Sequence, residues 1–85
     1  MEIEGIYIRH SLVRFVKQME LKLRENDHKG GWENSSTEYL FDSLCEEVDE
    51  LQGELSEIND PSDERVKGEC LDVANFAMML FDNKS

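Results

Sequence analysis

Two short acidic motifs are the positions in this 85-residue chain best suited to chemistry. Glu46, Glu47 and Glu50 read as EExxE, and Glu69 and Asp72 read as ExxD further along the chain. Carboxylates three residues apart on a helix repel each other, so they either point into water or bind cations. Oxygen ligands without a nearby His or Cys suit hard divalent ions. The motifs therefore favour a Mg²⁺ site, with Mn²⁺ as the alternative.

Three predicted helices position these motifs. Apolar residues recur at helical spacing over residues 11–26, over 37–58, and from 61 or 62 to 82. We expect Ser11 to cap the first helix and Ser36 or Thr37 to cap the second. Turn-forming residues separate the helices at 28–36 and 59–63. Residues 1–10 are an N-terminal arm, in which 1–8 form either a short strand or a segment that docks on a neighbour.

The acids border the apolar stripes of the second and third helices. If the two stripes face each other in antiparallel helices, both acidic pairs converge at one edge of the core. The predicted stripes are Leu12, Phe15, Val16, Met19 and Leu23 on the first helix, Leu40, Leu44, Val48, Leu51 and Leu55 on the second, and Val66, Cys70, Val73, Ala77, Leu80 and Phe81 on the third.

The third helix is too apolar to be covered within one chain. Over residues 73–81, VANFAMMLF, only Asn75 is polar. A helix that is apolar on all sides must be buried on all sides, and so short a chain cannot do this. We therefore predict an all-α fold whose three-helix protomer, built on a helical hairpin, assembles into a four-helix-type bundle as a homo-oligomer, a dimer or a tetramer. Phe76 and Met79 are expected to meet the next subunit, and a groove for a lipid or a partner is the alternative.

Length and charge limit the classes of function. The chain is short enough for a single domain, residues 1–85, and its net charge of -11 argues against binding to nucleic acid polymers or to anionic membranes. No apolar run is long enough to span a membrane, and the first residues do not resemble a signal peptide. We expect a soluble, cytoplasmic protein.

The order and spacing of EExxE and ExxD resemble the paired motif of the MazG-like, all-α nucleoside triphosphate pyrophosphohydrolases. The resemblance covers about residues 12–82, including the apolar run after Asp72. It implies Mg²⁺-dependent hydrolysis of nucleoside or deoxynucleoside triphosphates to the monophosphate and pyrophosphate. It also implies that Glu47, Glu50, Glu69 and Asp72 ligate the metals, and that Glu46 supports the site or adds a ligand. The catalytic candidates are Glu47, which would orient or deprotonate the attacking water, and Glu46.

Three further residues are candidates for binding the substrate. Trp32 resembles a base-stacking tryptophan in the deoxycytidine-triphosphate pyrophosphatases of that family, although it could equally pack the loop onto the bundle. Asn75 needs a polar partner, which is either the substrate or another subunit. Lys29, with Arg14, Lys17 and Lys22, is a candidate for holding phosphates or simply a solvated charge. The rival interpretation of the whole chain is a non-catalytic, acidic, oligomeric helical interaction module.

Overall fold

Three α-helices make up most of the chain in the computed structural model, which describes residues 1–56 and 63–84. They are α1 (His10–Asn26), α2 (Thr37–Leu55) and α3 (Asp63–Asn83). A short 3₁₀ helix, Asp27–Lys29, follows α1 directly, and Gly30 then turns the chain with a φ of 91° that favours glycine. The predicted all-α class is confirmed.

The helix caps agree with the sequence at α2 and differ at α1. Ser36 Oγ accepts a hydrogen bond from the Tyr39 backbone N–H at 3.1 Å, which confirms Ser36 as the cap of α2. The prediction that Ser11 caps α1 is wrong. Arg9 has the extended backbone of a cap, and its carbonyl accepts from the next turn, so the helix begins at His10 without a side-chain cap.

The far end of α2 is shorter than predicted. The helix ends at Leu55 instead of residue 58, because Ser56 leaves the helical conformation and its N–H bonds to the carbonyls of Gln52 and Gly53. Residues 57–58 lie outside the described residues, as does the predicted start of the third helix at 61 or 62. At its other end α3 extends to Asn83, one residue past the predicted end.

The N-terminal arm contains a small β-hairpin. Strands β1 (Glu2–Ile3) and β2 (Ile6–Tyr7) pair antiparallel, with Glu2 opposite Tyr7. Both turn residues, Glu4 and Gly5, have positive φ values of 50° and 83°, as a tight two-residue hairpin requires. The short-strand alternative for residues 1–8 is therefore confirmed.

Helix α3 is the central element. It packs against both α2 and α1, whereas no Cα atom of α1 lies within 8 Å of one of α2. Asn83 Nδ2 donates a hydrogen bond to the Ser35 carbonyl and joins the end of α3 to the start of α2. These two helices therefore run antiparallel, which is the condition for the two acidic motifs to converge. Asn75 Nδ2 donates to the Met19 carbonyl at 3.3 Å and ties α1 to α3.

The predicted apolar stripes are only partly covered. Leu40 and Asn75 are the only fully buried residues in the described part of the chain. Several residues expected to point inward are instead exposed, because α1 rests on α3 alone and α2 has only one helical neighbour. They are Leu12, Val16, Val48, Leu55, Ala77 and Phe81. None of the helices described is long and apolar enough to cross a membrane.

Candidate metal centre and adjoining cleft

Three carboxylates converge where α2 packs on α3. Glu47 and Glu50 come from α2 and Glu69 from α3, and one oxygen of each lies within 4.8 Å of the others. The i, i+3 spacing places the first two on one face of α2, and the antiparallel partner helix brings the third to the same edge. Three of the four predicted metal ligands are thus brought together.

Glu47 is the most perturbed member of the cluster. Burial raises its pKa to about 8, with further increases from hydrogen bonds to Glu69 and Glu50 and from the nearby charge of Asp72. Burial also raises the pKa of Glu69, although its hydrogen bond with Glu47 acts in the opposite direction. The hydrogen bond between Glu47 and Glu69 raises the pKa of Glu47 and lowers that of Glu69, which indicates that Glu47 is protonated and donates to the Glu69 carboxylate. In the metal-free chain, a proton therefore offsets part of the repulsion within the cluster.

The cluster has capacity for a cation. Oε2 of Glu47 and Oε2 of Glu69 are both buried without a hydrogen-bond partner among the described residues. Oxygens around an octahedral Mg²⁺ lie about 3 Å apart when adjacent and about 4.2 Å apart when opposite. One oxygen of each carboxylate lies within 4.8 Å of the others, and side-chain rotations would have to bring these oxygens to the closer spacing. The donor set and the unpartnered oxygens fit a hard divalent ion.

Asp72, the fourth predicted ligand, lies beside this cluster. Its Oδ1 is 3.9 Å from Lys22 Nζ of α1. Burial raises the pKa of Asp72, the Lys22 ammonium lowers it, and the charges of Glu50 and Glu25 raise it again. Asp72 thus interacts with the cluster electrostatically while its side chain is paired across the gap to α1.

A cleft of about 520 Å³ opens next to the carboxylates. Because the backbones of α1 and α2 stay apart, a space remains that residues of all three helices line. The cleft brings Glu47, Asp72, Asn75 and Lys29 together, four residues that the sequence assigned to one site. Its lining consists of Lys22, Leu23, Glu25, Asn26 and Lys29 near the end of α1, Tyr39 and Glu47 from α2, and Asp72, Asn75, Phe76 and Met79 from α3.

Phe76 and Met79 line the cleft and are partly buried within their own chain, where α1 packs on α3. Their contact with another subunit stays a prediction.

Two other predicted site residues lie outside the cleft. Glu46 is exposed and belongs neither to the carboxylate cluster nor to the cleft lining, so its catalytic role stays a prediction without geometric support. Trp32 Nε1 donates to Asp82 Oδ2 at 2.9 Å. This bond anchors the 30–36 loop to the end of α3, which matches the packing alternative for Trp32.

Tyr39 is the cleft residue that sequence reasoning missed. Its ring is 61% exposed and lines the cleft opposite the residues of α1. A helical signal was available: Tyr39 precedes Glu50 by eleven residues, about three turns, so both lie on one face of α2. Tyr39 lies on the acidic face of α2 and not on its apolar stripe, which indicates an exposed ring available for binding.

A second, larger cavity of about 850 Å³ lies between the first halves of α1 and α3. Three bases line it, Arg14, Lys17 and Lys67, together with Glu64. It contains neither the carboxylate cluster nor any of the unpartnered buried oxygens. The cleft beside Glu47 is therefore the candidate functional site. No family model, curated protein or solved structure matches this chain.

Proposed function

We propose that this protein hydrolyses nucleoside or deoxynucleoside triphosphates to the monophosphate and pyrophosphate, with Mg²⁺ as cofactor. The observation that carries the proposal is the convergence of Glu47, Glu50 and Glu69, because Glu47 also lines a cleft large enough for a small ligand. The resemblance of EExxE and ExxD to the MazG-like pyrophosphohydrolases supplies the reaction class.

The charges of the cleft support this choice. A triphosphate carries about four negative charges, so a carboxylate cluster repels it unless cations lie between them. Glu47, Glu50 and Glu69 would hold Mg²⁺, which would supply positive charge for the phosphates, a lowered pKa for a water molecule and stabilisation of charge on the leaving pyrophosphate. Lys22 and Lys29 line the same cleft from α1 and the 3₁₀ helix that follows it. They are placed to neutralise phosphate oxygens that point away from the carboxylates.

Glu47 is the proposed base. Glu47 belongs to both the carboxylate cluster and the cleft lining, so its carboxylate could take a proton from a water that attacks the α-phosphorus of a bound nucleotide. Its raised pKa shows that the site stabilises a proton on this side chain. Attack breaks the bond between the α-phosphorus and the bridging oxygen, and the electron pair leaves with pyrophosphate. The scheme needs no covalent intermediate on the protein.

A pyrophosphate-release assay tests the proposal. The protein is incubated with Mg²⁺ and a panel of ribo- and deoxyribonucleoside triphosphates. Glu50→Gln should reduce the rate by at least about 100-fold, because it removes one charged ligand. Asp49→Asn, on the same helix outside the cluster, is the matched control and should retain activity. Activity that survives Glu50→Gln, or no activity with any nucleotide, would leave the non-catalytic interaction module as the better account.

We also propose that the working form is a homo-oligomer. The single chain exposes 6752 Å², whereas a folded monomer of this mass exposes roughly 5,200 Å². The excess, roughly 1,500 Å², exceeds the roughly 800 Å² that each partner buries in a standard interface. Phe41, Val48 and Leu55 recur at seven-residue steps along α2, and all three are about half exposed. This line of apolar side chains supports pairing through α2.

Sedimentation of matched variants distinguishes this arrangement from a monomer. Val48→Glu places a charge in the middle of the apolar line and should shift the oligomer to a mass near 9.9 kDa. Gln52→Glu adds the same charge at an exposed position of the same helix and should leave the mass unchanged. A wild-type chain that sediments as a monomer at micromolar concentration would rule out the assembly.

A further inference from the structure

Asn75 holds an unpaired hydrogen-bond acceptor at the floor of the cleft. The residue is only 4% exposed, and it lines the cleft from the middle of α3. Its Oδ1 is buried and has no hydrogen-bond partner in the part of the chain that the structure describes. A buried amide oxygen left without a donor is destabilising, so such an atom in a native protein points to a missing partner.

The direction of the amide is fixed by its other contact. Nδ2 of Asn75 donates to the Met19 carbonyl at 3.3 Å. A carbonyl oxygen only accepts, so the NH₂ group must face Met19 and the oxygen must face the other way. An exchange of the two atoms would place two acceptors against each other. The unpaired group is therefore an acceptor.

This orientation decides which part of a nucleotide can pair with Asn75. Phosphate oxygens are acceptors when ionised and cannot satisfy Oδ1. A sugar hydroxyl and an N–H group of a base are donors and can. The α3 geometry agrees, because Asn75 lies one turn, about 4.5 Å along the axis, beyond Asp72. A nucleoside attached to phosphates at the carboxylates would reach this depth.

We propose that Asn75 Oδ1 accepts a hydrogen bond from an O–H or N–H donor on the nucleoside part of the substrate, and so discriminates between nucleotides. The inference rests on the proposed function and deepens it. Lys22, Phe76 and Met79 line the same cleft as Asn75. The exposed ring of Tyr39 offers a face for the base on the opposite wall.

Binding of single-donor analogues tests the contact without relying on turnover. Calorimetry with Mg²⁺ and α,β-methylene triphosphates measures the Kd of a parent nucleotide and of its 2′-deoxy, 3′-deoxy and deaminated forms. Removal of the one donor that pairs with Asn75 should weaken binding by about 10- to 100-fold, and the other removals should have small effects. The analogue that fails identifies the donor as a sugar hydroxyl or a base amine.

Two variants connect this selectivity to Asn75. Asn75→Leu has a similar shape without an acceptor, and it should bind the parent and the sensitive analogue equally. Asn75→Asp loses the same bond to Met19 but keeps an acceptor, and it should retain the preference even if its overall affinity falls. Circular dichroism checks that both variants are helical. The comparison of nucleotide analogues on the wild-type chain does not depend on either variant.

The outcomes separate this inference from the proposed function. If nucleotides are bound and hydrolysed but no donor removal changes the Kd, the role of Asn75 is refuted and the pyrophosphohydrolase proposal stands. A preference that persists in folded Asn75→Leu also refutes it. If no nucleotide is bound or hydrolysed with Mg²⁺, both proposals fail together.

Discussion

Lys22 of α1 and Asp72 of α3 face each other across the cleft, with 3.9 Å between Nζ and Oδ1. This pair joins the helix that carries ExxD to the helix that makes the least contact with the rest of the fold. Both side chains remain about one-third exposed, so water screens their attraction. The pair therefore contributes little to folding, and its position beside the carboxylate cluster makes its contribution to the proposed ligand binding the property to test.

Lys22→Met should separate binding from stability. The free energy of unfolding should change by less than about 1 kcal/mol, because the pair is partly solvated. The KM for a triphosphate should rise by about 10-fold, because one phosphate-neutralising charge is lost. The pKa of Asp72 should rise further without the ammonium that lowers it. Carboxyl carbon NMR titration and steady-state kinetics measure these effects.

Lys17→Met is the control for this variant. Lys17 lies on the same helix but lines the other cavity, so its loss should leave KM unchanged. An equal rise of KM in both variants would indicate a general effect of net charge and would contradict a specific contact from Lys22.

The stability of the metal-free protein should depend on pH in the direction opposite to that of a salt-bridged acid. In the folded chain the pKa of Glu47 is about 8, whereas its ordinary value, which applies to the unfolded chain, is 4.5. The unfolded state thus binds fewer protons between these values, so the free energy of unfolding falls as pH rises. Melting temperatures in a chelating buffer should decrease from pH 5 to pH 8.5.

Glu47→Gln provides the check on this pH dependence. The amide cannot ionise, so the decrease in melting temperature should be smaller than in the wild type. Addition of Mg²⁺ to the wild type should also reduce the decrease, because the cation replaces the proton. A melting temperature that rises towards pH 8.5 in the wild type without metal would show that Glu47 is already ionised.

Metal binding should release a proton near neutral pH. Glu47 is protonated below a pH of about 8, and a carboxylate must be ionised to ligate Mg²⁺. Calorimetric titration with Mg²⁺ in two buffers of different ionisation enthalpy should therefore show up to about one proton released per site at pH 7. Identical heats in the two buffers would contradict the assignment of Glu47 as a ligand.

Substitution of Trp32 should change stability, whereas substitution of Tyr39 should change KM. Trp32→Phe loses the bond from the indole to Asp82, which should lower stability by about 1 kcal/mol and the melting temperature by about 4–8 °C, with KM unchanged. Tyr39→Leu removes an exposed ring from the cleft, which should raise KM by about 5- to 100-fold with little loss of stability. The reverse result would restore Trp32 as the base-stacking residue.

Helical periodicity predicted the elements well and their ends less well. The apolar spacing located all three helices, and the hydrogen-bonding capacity of Ser36 identified the start of α2. Ser11 failed as a cap because the backbone of Arg9 already closes the first turn of α1. The end of α2 failed because apolar periodicity continues past Leu55 in the sequence, whereas the backbone leaves the helix at Ser56. Local helix propensity alone does not determine where a helix begins or ends, because the tertiary context can override it.

The candidate site was likewise predictable from the sequence only in part. The sequence by itself determined that Glu47, Glu50 and Glu69 could share one edge, because i, i+3 spacing fixes neighbours on a helix. Only the tertiary structure decided what faces that edge. The separation of the α1 and α2 backbones opens the cleft. Packing of α1 on α3 places Lys22 against Asp72, and Tyr39 of α2 lines the cleft opposite α1. Periodicity gives the face of each helix, but the angle and distance between helices depend on packing between residues far apart in the chain.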